Sequence, residues 1–264
     1  NFFWDELNQV NIIAEPLIEN NNFVKNGDPI YFGQISYPVF TNNQATNNQF
    51  NAIIFASDIS KDMVLKPDLP YLVRNVSIVP ENITLTLEPG VIMEFQSNFS
   101  GLQINGTLKA IGGLDPPIAF RSYYHFEKDI MPGRWLGLRF TETSKNSELD
   151  NVDISYGGAF YSIPNNQDFT AAVKIEQTSI SLRNSVVWKN ANNGVWLVNS
   201  PSIIDNVQFL EHLTTTGFVE SAKAVYVQGG KPEIKNSYFK DNYYGIYILW
   251  NLFSFIFTYF IWNI

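Results

Sequence analysis

Short runs of alternating apolar and polar residues, separated by tight corners, are the feature that most constrains how this chain folds. One run, ITLTLEP, extends from Ile83 to Pro89, and another, GLQINGTLKAIGG, extends from Gly101 to Gly113. Alternation with a period of two is typical of strands that bury one face and expose the other. Pro and Gly end each run after a few residues, which leaves no room for a crossover helix. The pattern therefore predicts a chain that coils through short strands into a solenoid.

A repeat with a recurring corner asparagine supports the same architecture. Units that begin at Ala171, Gly194 and Ala224 each contain an apolar strand, a corner with small residues or proline, a second strand and an Asn. The unit length lies in the range of roughly 20 to 50 residues that solenoid coils occupy. Asn tolerates left-handed backbone and can hydrogen-bond to the Asn of the next coil. We therefore predict a structural ladder of corner asparagines rather than a ligand site. The predicted ladder consists of Asn151, Asn184, Asn206 and Asn236.

These patterns predict an all-β fold, a right-handed single-stranded parallel β-helix, over residues 51–249. Residues 1–50 are rich in Asn and poor in periodicity, which predicts an irregular leader or capping segment, with one or two strands expected within PIYFGQISYPVF, Pro29 to Phe40. Asn1 stands where a full chain has Met, which predicts a processed chain or a fragment.

The last residues, 250–264, form an anomalous hydrophobic tail with aromatic side chains on both parities and no charge. Three interpretations remain open: a truncated coil or gene-model end, a buried final coil, or the start of a transmembrane segment. We favour the truncated end, because no basic flank follows and the apolar run starts inside a strand.

Charge and composition exclude several classes of partner. The formal net charge is −8 and no basic stripe is visible, which excludes a nucleic-acid binder. The chain has no cysteine, which excludes disulfides and thiolate metal sites. His125 and His212 are isolated from one another and are predicted to be surface residues rather than metal ligands. We expect no cofactor and no metal.

Several segments together resemble a known family. They are YLVRNVSIVPENITLTLEPGVIMEF, GLQINGTLKAIG, PPIAFRS, GRWLGLRF and SELDNVDISYGG. In style they resemble extracellular right-handed parallel β-helix domains, and in particular the β-helix region of the bark beetle (Anakonda) family of animal tricellular-junction membrane proteins. The resemblance spans about residues 60–248, and its sharpest parts are Leu87 to Phe95 and Gly101 to Gly112. It implies a role in maintaining cell–cell junctions.

The main functional prediction is a non-enzymatic extracellular scaffold, because stacked coils form a rigid rod with long flat faces. Its expected location is the extracellular face of the plasma membrane or the secreted fraction, with cell junctions as one candidate site. Other cell-surface or junction proteins are the expected partners, and glycans are a further candidate. Membrane attachment would come through a region outside this chain or through the C-terminal tail.

The alternative is a β-helix that binds or cleaves polysaccharides. Such enzymes need clustered carboxylates, and lyases also need a basic residue near the abstracted proton. The nearest candidate set is Glu148, Asp150, Asp153 and Arg139. We predict no catalytic residues, because Asp153 alternates with Val152 and Ile154 as a solvated residue does. Convergence of the candidate set in one groove would favour the alternative.

Four glycosylation sequons lie close together in the sequence. Their asparagines are Asn75, Asn82, Asn98 and Asn105. The number of sequons matches chance for a chain this rich in Asn, Ser and Thr. Their placement is more informative, because Asn82 and Asn105 share the outward parity of Thr84 and Thr107. We therefore predict a secreted glycoprotein.

Overall fold

The computed structural model describes residues 14–33, 36–55, 59–159, 162–163, 167–168, 170–212 and 222–249. These residues form 29 strands and no helix. Three long sheets contain seven, nine and seven strands, and every neighbouring pair within them is parallel. Successive coils of the chain supply the neighbouring strands. The arrangement is a parallel β-helix, so the predicted all-β fold class is confirmed.

The strands are short, most of them three to six residues long. The first six are β1 (Leu17–Glu19), β2 (Asn22–Val24), β3 (Ile30–Phe32), β4 (Val39–Thr41), β5 (Gln44–Thr46) and β6 (Ile53–Phe55). The next eleven are β7 (Met63–Leu65), β8 (Tyr71–Val73), β9 (Val76–Val79), β10 (Thr84–Leu87), β11 (Ile92–Phe95), β12 (Gly101–Ile104), β13 (Thr107–Ile111), β14 (Ile118–Ser122), β15 (Leu138–Phe140), β16 (Glu148–Asp150) and β17 (Val152–Ser155). The last twelve are β18 (Ser162–Ile163), β19 (Gln167–Asp168), β20 (Ala171–Glu176), β21 (Ser181–Arg183), β22 (Val186–Trp188), β23 (Asn193–Val198), β24 (Ile203–Asp205), β25 (Gln208–Leu210), β26 (Lys223–Gln228), β27 (Glu233–Lys235), β28 (Tyr238–Lys240) and β29 (Tyr244–Leu249).

From β7 onward each coil passes through three sheets in a fixed order. Sheet 1 contains β7, β10, β13, β16, β21, β24 and β27. Sheet 2 contains β3, β6, β8, β11, β14, β17, β22, β25 and β28. Sheet 3 contains β9, β12, β15, β20, β23, β26 and β29. A short antiparallel pair, β18 with β19, is inserted between sheets 2 and 3 in one coil. Insertions of this kind explain why the coils differ in length.

Residues 17–55 form further layers of parallel strands at the N-terminal end. Strand β1 pairs with β4, β2 with β5, and β3 with β6, which in turn pairs with β8 of the next coil. The segment predicted as an irregular leader thus contains five strands between Leu17 and Thr46. Three-residue strands between Asn-rich corners carry too little alternation to be recognised in sequence. The predicted division at residue 50 stays a prediction.

One continuous hydrophobic core runs through the stack from Ile30 to Val227. In β10 the apolar residues Leu85 and Leu87 are fully buried, whereas the threonines between them are only half-buried. Leu85 lies beside Leu108 of the next coil, so buried residues stack on buried residues along the sheet. The alternation read from the sequence is therefore the alternation that fills the core.

The described part of the stack ends at β29, whose Ile248 is 62% exposed. The hydrophobic tail, residues 250–264, lies outside the described residues, so all three of its interpretations stay open. Within the part of the chain that the structure describes, no helix has the length and apolar character needed to cross a membrane.

Candidate functional site

The four residues of the predicted carboxylate and arginine set do not come together. Glu148 and Asp150 lie on sheet 1, Asp153 on sheet 2 and Arg139 on sheet 3. Arg139 Nε donates a hydrogen bond to Glu176 Oε2 at 2.6 Å on that third face. A groove that contains all four side chains is therefore not formed.

The predicted corner asparagines all adopt left-handed backbone, with φ between 48° and 55°. They are Asn151, Asn184, Asn206 and Asn236. Asn206 Nδ2 donates to Asn184 Oδ1 at 2.9 Å, and Asn184 Nδ2 donates to Asp150 Oδ1 at 2.8 Å. Asn236 instead donates to Asp205, at 2.8 Å. The structure thus joins Asn184 with Asn206 directly, and aspartates take part in the same row of bonds.

The sequon asparagines differ in exposure. Asn75, Asn82 and Asn98 are exposed, whereas Asn105 is half-buried. Asn105 Oδ1 accepts hydrogen bonds from Thr141 Oγ1 at 2.9 Å and from Gln103 Nε2 at 3.1 Å. Three of the four positions therefore present their side chains to solvent in the folded chain.

A cleft of about 310 Å³ opens on the outer face of sheet 2. One end is apolar, and residues from two corners and two strands line it. They are Gly90, Ile92, Pro116, Pro117 and Ala119. The other end is polar and aromatic. Its residues are Arg121, His125, Asp153, Ser155, Tyr156 and Trp188.

The register of the strands explains why the face is hollow at this point. Ala119 of β14 lies directly between Ile92 of β11 and Asp153 of β17. Its methyl group is much shorter than the side chains on either side, so a depression forms over the middle strand. The larger Tyr156 and Trp188 stand at one side of that depression.

An ion pair with a buried carboxylate lies beside the cleft. Glu94 is only 4% exposed, and it lies opposite Arg121 on the neighbouring strand. Arg121 donates to the same carboxylate oxygen from Nε at 3.1 Å and from Nη2 at 2.9 Å. Burial raises the pKa of Glu94 above its usual range, and the attraction of Arg121 offsets part of that rise. The pair fixes the guanidinium with its remaining N–H groups free of Glu94.

A second carboxylate is held by an indole. Trp188 Nε1 donates a hydrogen bond to Asp153 Oδ1 at 2.7 Å. Burial raises the pKa of Asp153, and this hydrogen bond works in the opposite direction. The Trp188 ring meets the Tyr156 ring edge-on, with centroids 5.5 Å apart. Tyr156 has φ of 61°, a conformation uncommon for a bulky residue, and one that is often associated with functional sites.

The two histidines have different environments. His125 lines the cleft, and its Nδ1 lies 3.1 Å from the Ser122 carbonyl oxygen. Burial and the nearby Arg121 lower the pKa of His125, and because the Ser122 carbonyl oxygen can only accept, the neutral ring carries its proton on Nδ1 and leaves Nε2 as an acceptor. His212, by contrast, is fully buried, so its prediction as a surface residue is wrong. Among the described residues, no group of three or more His, Asp or Glu side chains is arranged to hold a metal ion.

Sequence reasoning missed the cleft, although it singled out Asp153 and His125 individually. Arg121 and Trp188 alternate outward like any solvated strand residue, so nothing local marks them. What brings them together is the pairing of strands from three coils: β14 with β17, and β17 with β22. The site could have been found from the sequence only if the number of residues in each corner, and hence the register between coils, had been predicted.

Comparisons with known proteins do not assign this chain to a family. No protein-family model matches the chain, and neither the curated proteins nor the solved structures gave a match. The class that the fold defines is the parallel β-helix. The resemblance to the bark beetle family stays a prediction.

Proposed function

We propose that this chain is a non-enzymatic extracellular scaffold that holds interaction surfaces at a fixed distance, as a support for cell–cell junctions or adhesion. The continuous hydrophobic core from Ile30 to Val227 is the observation that carries the proposal. A single core leaves no internal linker about which the described coils would swivel. The resemblance to the bark beetle family points to the junction as the location.

The dimensions of the stack fit this role. Sheet 2 has nine strands, which at a spacing of about 4.8 Å span about 40 Å along the stack. Backbone hydrogen bonds between coils connect all nine strands in series. Such a solenoid resists bending and presents extended lateral faces to partners. The exposed asparagines of three sequons are accessible to the modification that a secreted protein receives.

An adhesion assay tests the proposal. The full chain is produced behind a signal peptide in animal cells, purified from the medium, and coupled to beads. We expect a mobility shift on glycosidase treatment, and we expect the coated beads to bind to each other or to epithelial cells more than beads carrying the heat-denatured chain. Equal binding of native and denatured chain would contradict the scaffold function.

A second candidate function is the binding of glycans, and the cleft on sheet 2 favours it. Aromatic rings, carboxylates and an arginine around one concave surface are common features of sites for polar small molecules. This function is compatible with the first, because a scaffold can carry a ligand site on one of its faces.

A further inference from the structure

We propose that the cleft on sheet 2 binds one neutral sugar residue of a glycan, held between Arg121, Asp153 and Trp188. This site rests on the second candidate function, glycan binding, and specifies its ligand; it does not depend on the scaffold function. The cleft volume, about 310 Å³, lies at the lower end of the roughly 300 to 1,000 Å³ typical of ligand pockets. A single ring with its immediate linkages therefore suits it better than a long segment of chain.

The balance of charge around the cleft favours a neutral ligand. Glu94 and Arg121 already compensate each other through two hydrogen bonds to one carboxylate oxygen. Asp153 adds a negative charge, which disfavours an acidic sugar or a phosphate. Arg121 projects from the same face, which disfavours an organic cation. An ion of either sign therefore meets a repulsive charge in the cleft and also loses hydration on entering it.

Sugar hydroxyl groups match the hydrogen-bonding groups that remain. A hydroxyl both donates and accepts, so it can use both kinds of group on this wall. Arg121 has five N–H donors, of which Glu94 takes two. The Asp153 carboxylate accepts from the side chains of Trp188 and Ser155 and has further lone pairs to offer, and His125 Nε2 is an acceptor because Nδ1–H faces the Ser122 carbonyl oxygen. Donors and acceptors therefore converge on one side of the cleft.

The apolar surface of the cleft suits the C–H groups of a pyranose ring. Trp188 and Tyr156 contribute aromatic surface, and Ile92, Pro116 and Ala119 contribute aliphatic surface. A pyranose has apolar C–H groups on its faces and hydroxyls around its edge, so one ring can contact the apolar surface and hydrogen-bond to the neighbouring polar groups. Aromatic side chains supply large apolar contact area and little flexibility.

The groups are held in place before a ligand arrives. Glu94 fixes the guanidinium of Arg121, and Asp153 fixes the indole of Trp188. The strands that carry them belong to the central part of the stack, with coils above and below. Binding therefore costs little conformational entropy, which is the advantage of a preorganised site.

Titration with defined oligosaccharides tests the site. The full chain is titrated with cellotetraose, chitotetraose and trigalacturonate, and binding is followed by Trp fluorescence and by calorimetry. We expect one of the two neutral probes to bind with a Kd in the millimolar range or tighter, and trigalacturonate to bind at least tenfold more weakly. Preference for trigalacturonate, or no binding of either neutral probe, would overturn the proposal.

Two variants locate the binding, and a third is the matched control. Trp188→Ala removes the aromatic wall, and Asp153→Asn keeps its shape while replacing one acceptor oxygen by a donor. Each should weaken binding at least tenfold, whereas Trp196→Ala on the outer face of sheet 3 should leave it unchanged. Thermal unfolding shows that each variant is folded. Unchanged binding by Asp153→Asn would overturn the proposed sugar site. The scaffold function would still stand in that case, because the adhesion of coated beads tests it separately.

Discussion

Replacing Trp135 with alanine is expected to lower the free energy of unfolding by about 3 to 5 kcal/mol. Trp135 is completely buried, and its ring stacks on Phe95 with centroids 4.0 Å apart and planes 5° from parallel. Its Nε1 also donates a hydrogen bond to the Ser155 carbonyl oxygen at 2.7 Å. The substitution leaves a large cavity in the core of coils that cannot collapse independently of their neighbours.

Urea unfolding of the wild-type chain and two variants measures this effect. Trp196 is the matched control, because it lies half-buried on an outer face, where its Nε1 donates to Gln228 at 3.2 Å. Trp196→Ala should cost less, about 1 to 2 kcal/mol, since it loses partial burial, stacking on Tyr226, the contact with the Lys174 ammonium and one weak hydrogen bond but opens no cavity. Equal losses for the two variants would mean that Trp135 is not in the core.

The second large effect concerns a buried histidine in an internal row of corner residues. Asn190 Oδ1 accepts from the Gly157 amide at 2.7 Å, and Asn242 Oδ1 accepts from the His212 amide at 3.2 Å. His212 occupies the corresponding corner in the coil between them. Its Nδ1 lies 2.8 Å from Asn242 Oδ1, and its Nε2 has no hydrogen-bond partner among the described residues. Gly194 leaves room for the ring, since a Cβ there would lie 2.3 Å from Nε2.

We expect the chain to lose stability as the pH falls from about 6.5 to about 4. Burial lowers the pKa of His212 from 6.5 to about 4, and the bond to Asn242 offsets only part of this shift. Between these pH values the unfolded chain takes up a proton at His212 that the folded chain does not. The part of the free energy of unfolding that depends on a neutral His212 is therefore fully present above about pH 6.5 and is lost as the pH approaches 4. A shift of about 2.5 pH units corresponds to about 3 kcal/mol.

The variant His212→Asn isolates this effect. An amide at this corner is expected to restore the row, as Asn190 Nδ2 bonds the Ile154 carbonyl at 3.0 Å and Asn242 Nδ2 bonds the Phe209 carbonyl at 2.9 Å. In urea unfolding at pH 7, 5 and 4, the variant should lose about 3 kcal/mol less unfolding free energy between pH 7 and pH 4 than the wild-type chain. Carboxylates titrate in both proteins and cancel in the difference. Identical pH dependence would show that His212 is not the responsible group.

The fold could be predicted because its signals are local. Leu85 and Leu87 alternate with threonines within one strand, and that alternation alone determines which face is buried. Asn at a corner is likewise a local signal, since left-handed backbone favours it in any context. Of the five strands between Leu17 and Thr46, the sequence predicted only the one or two expected between Pro29 and Phe40, because three residues contain barely one period of the pattern.

The cleft could not be predicted, because its residues meet only across coils. Glu94 lies beside Arg121, and Ala119 beside Asp153, in a register set by the length of every intervening corner. A change of one residue in a corner turns a strand's side chains to the other face or shifts them along the sheet. His212 illustrates the same limit: it sits in a row otherwise formed by asparagines, and only the stacked structure shows this.

We propose that this β-helix is a scaffold with a ligand cleft and that it does not cleave the ligand. The most direct test is prolonged incubation of the purified full chain with cellotetraose, chitotetraose and trigalacturonate, followed by chromatography and mass spectrometry of the products. Asp153→Asn provides the comparison, because it alters one of the two carboxylates at the cleft and keeps the shape of its side chain. We predict that all three oligosaccharides are recovered intact from both proteins. Shorter or unsaturated products that appear with the wild-type chain and disappear with Asp153→Asn would contradict the claim.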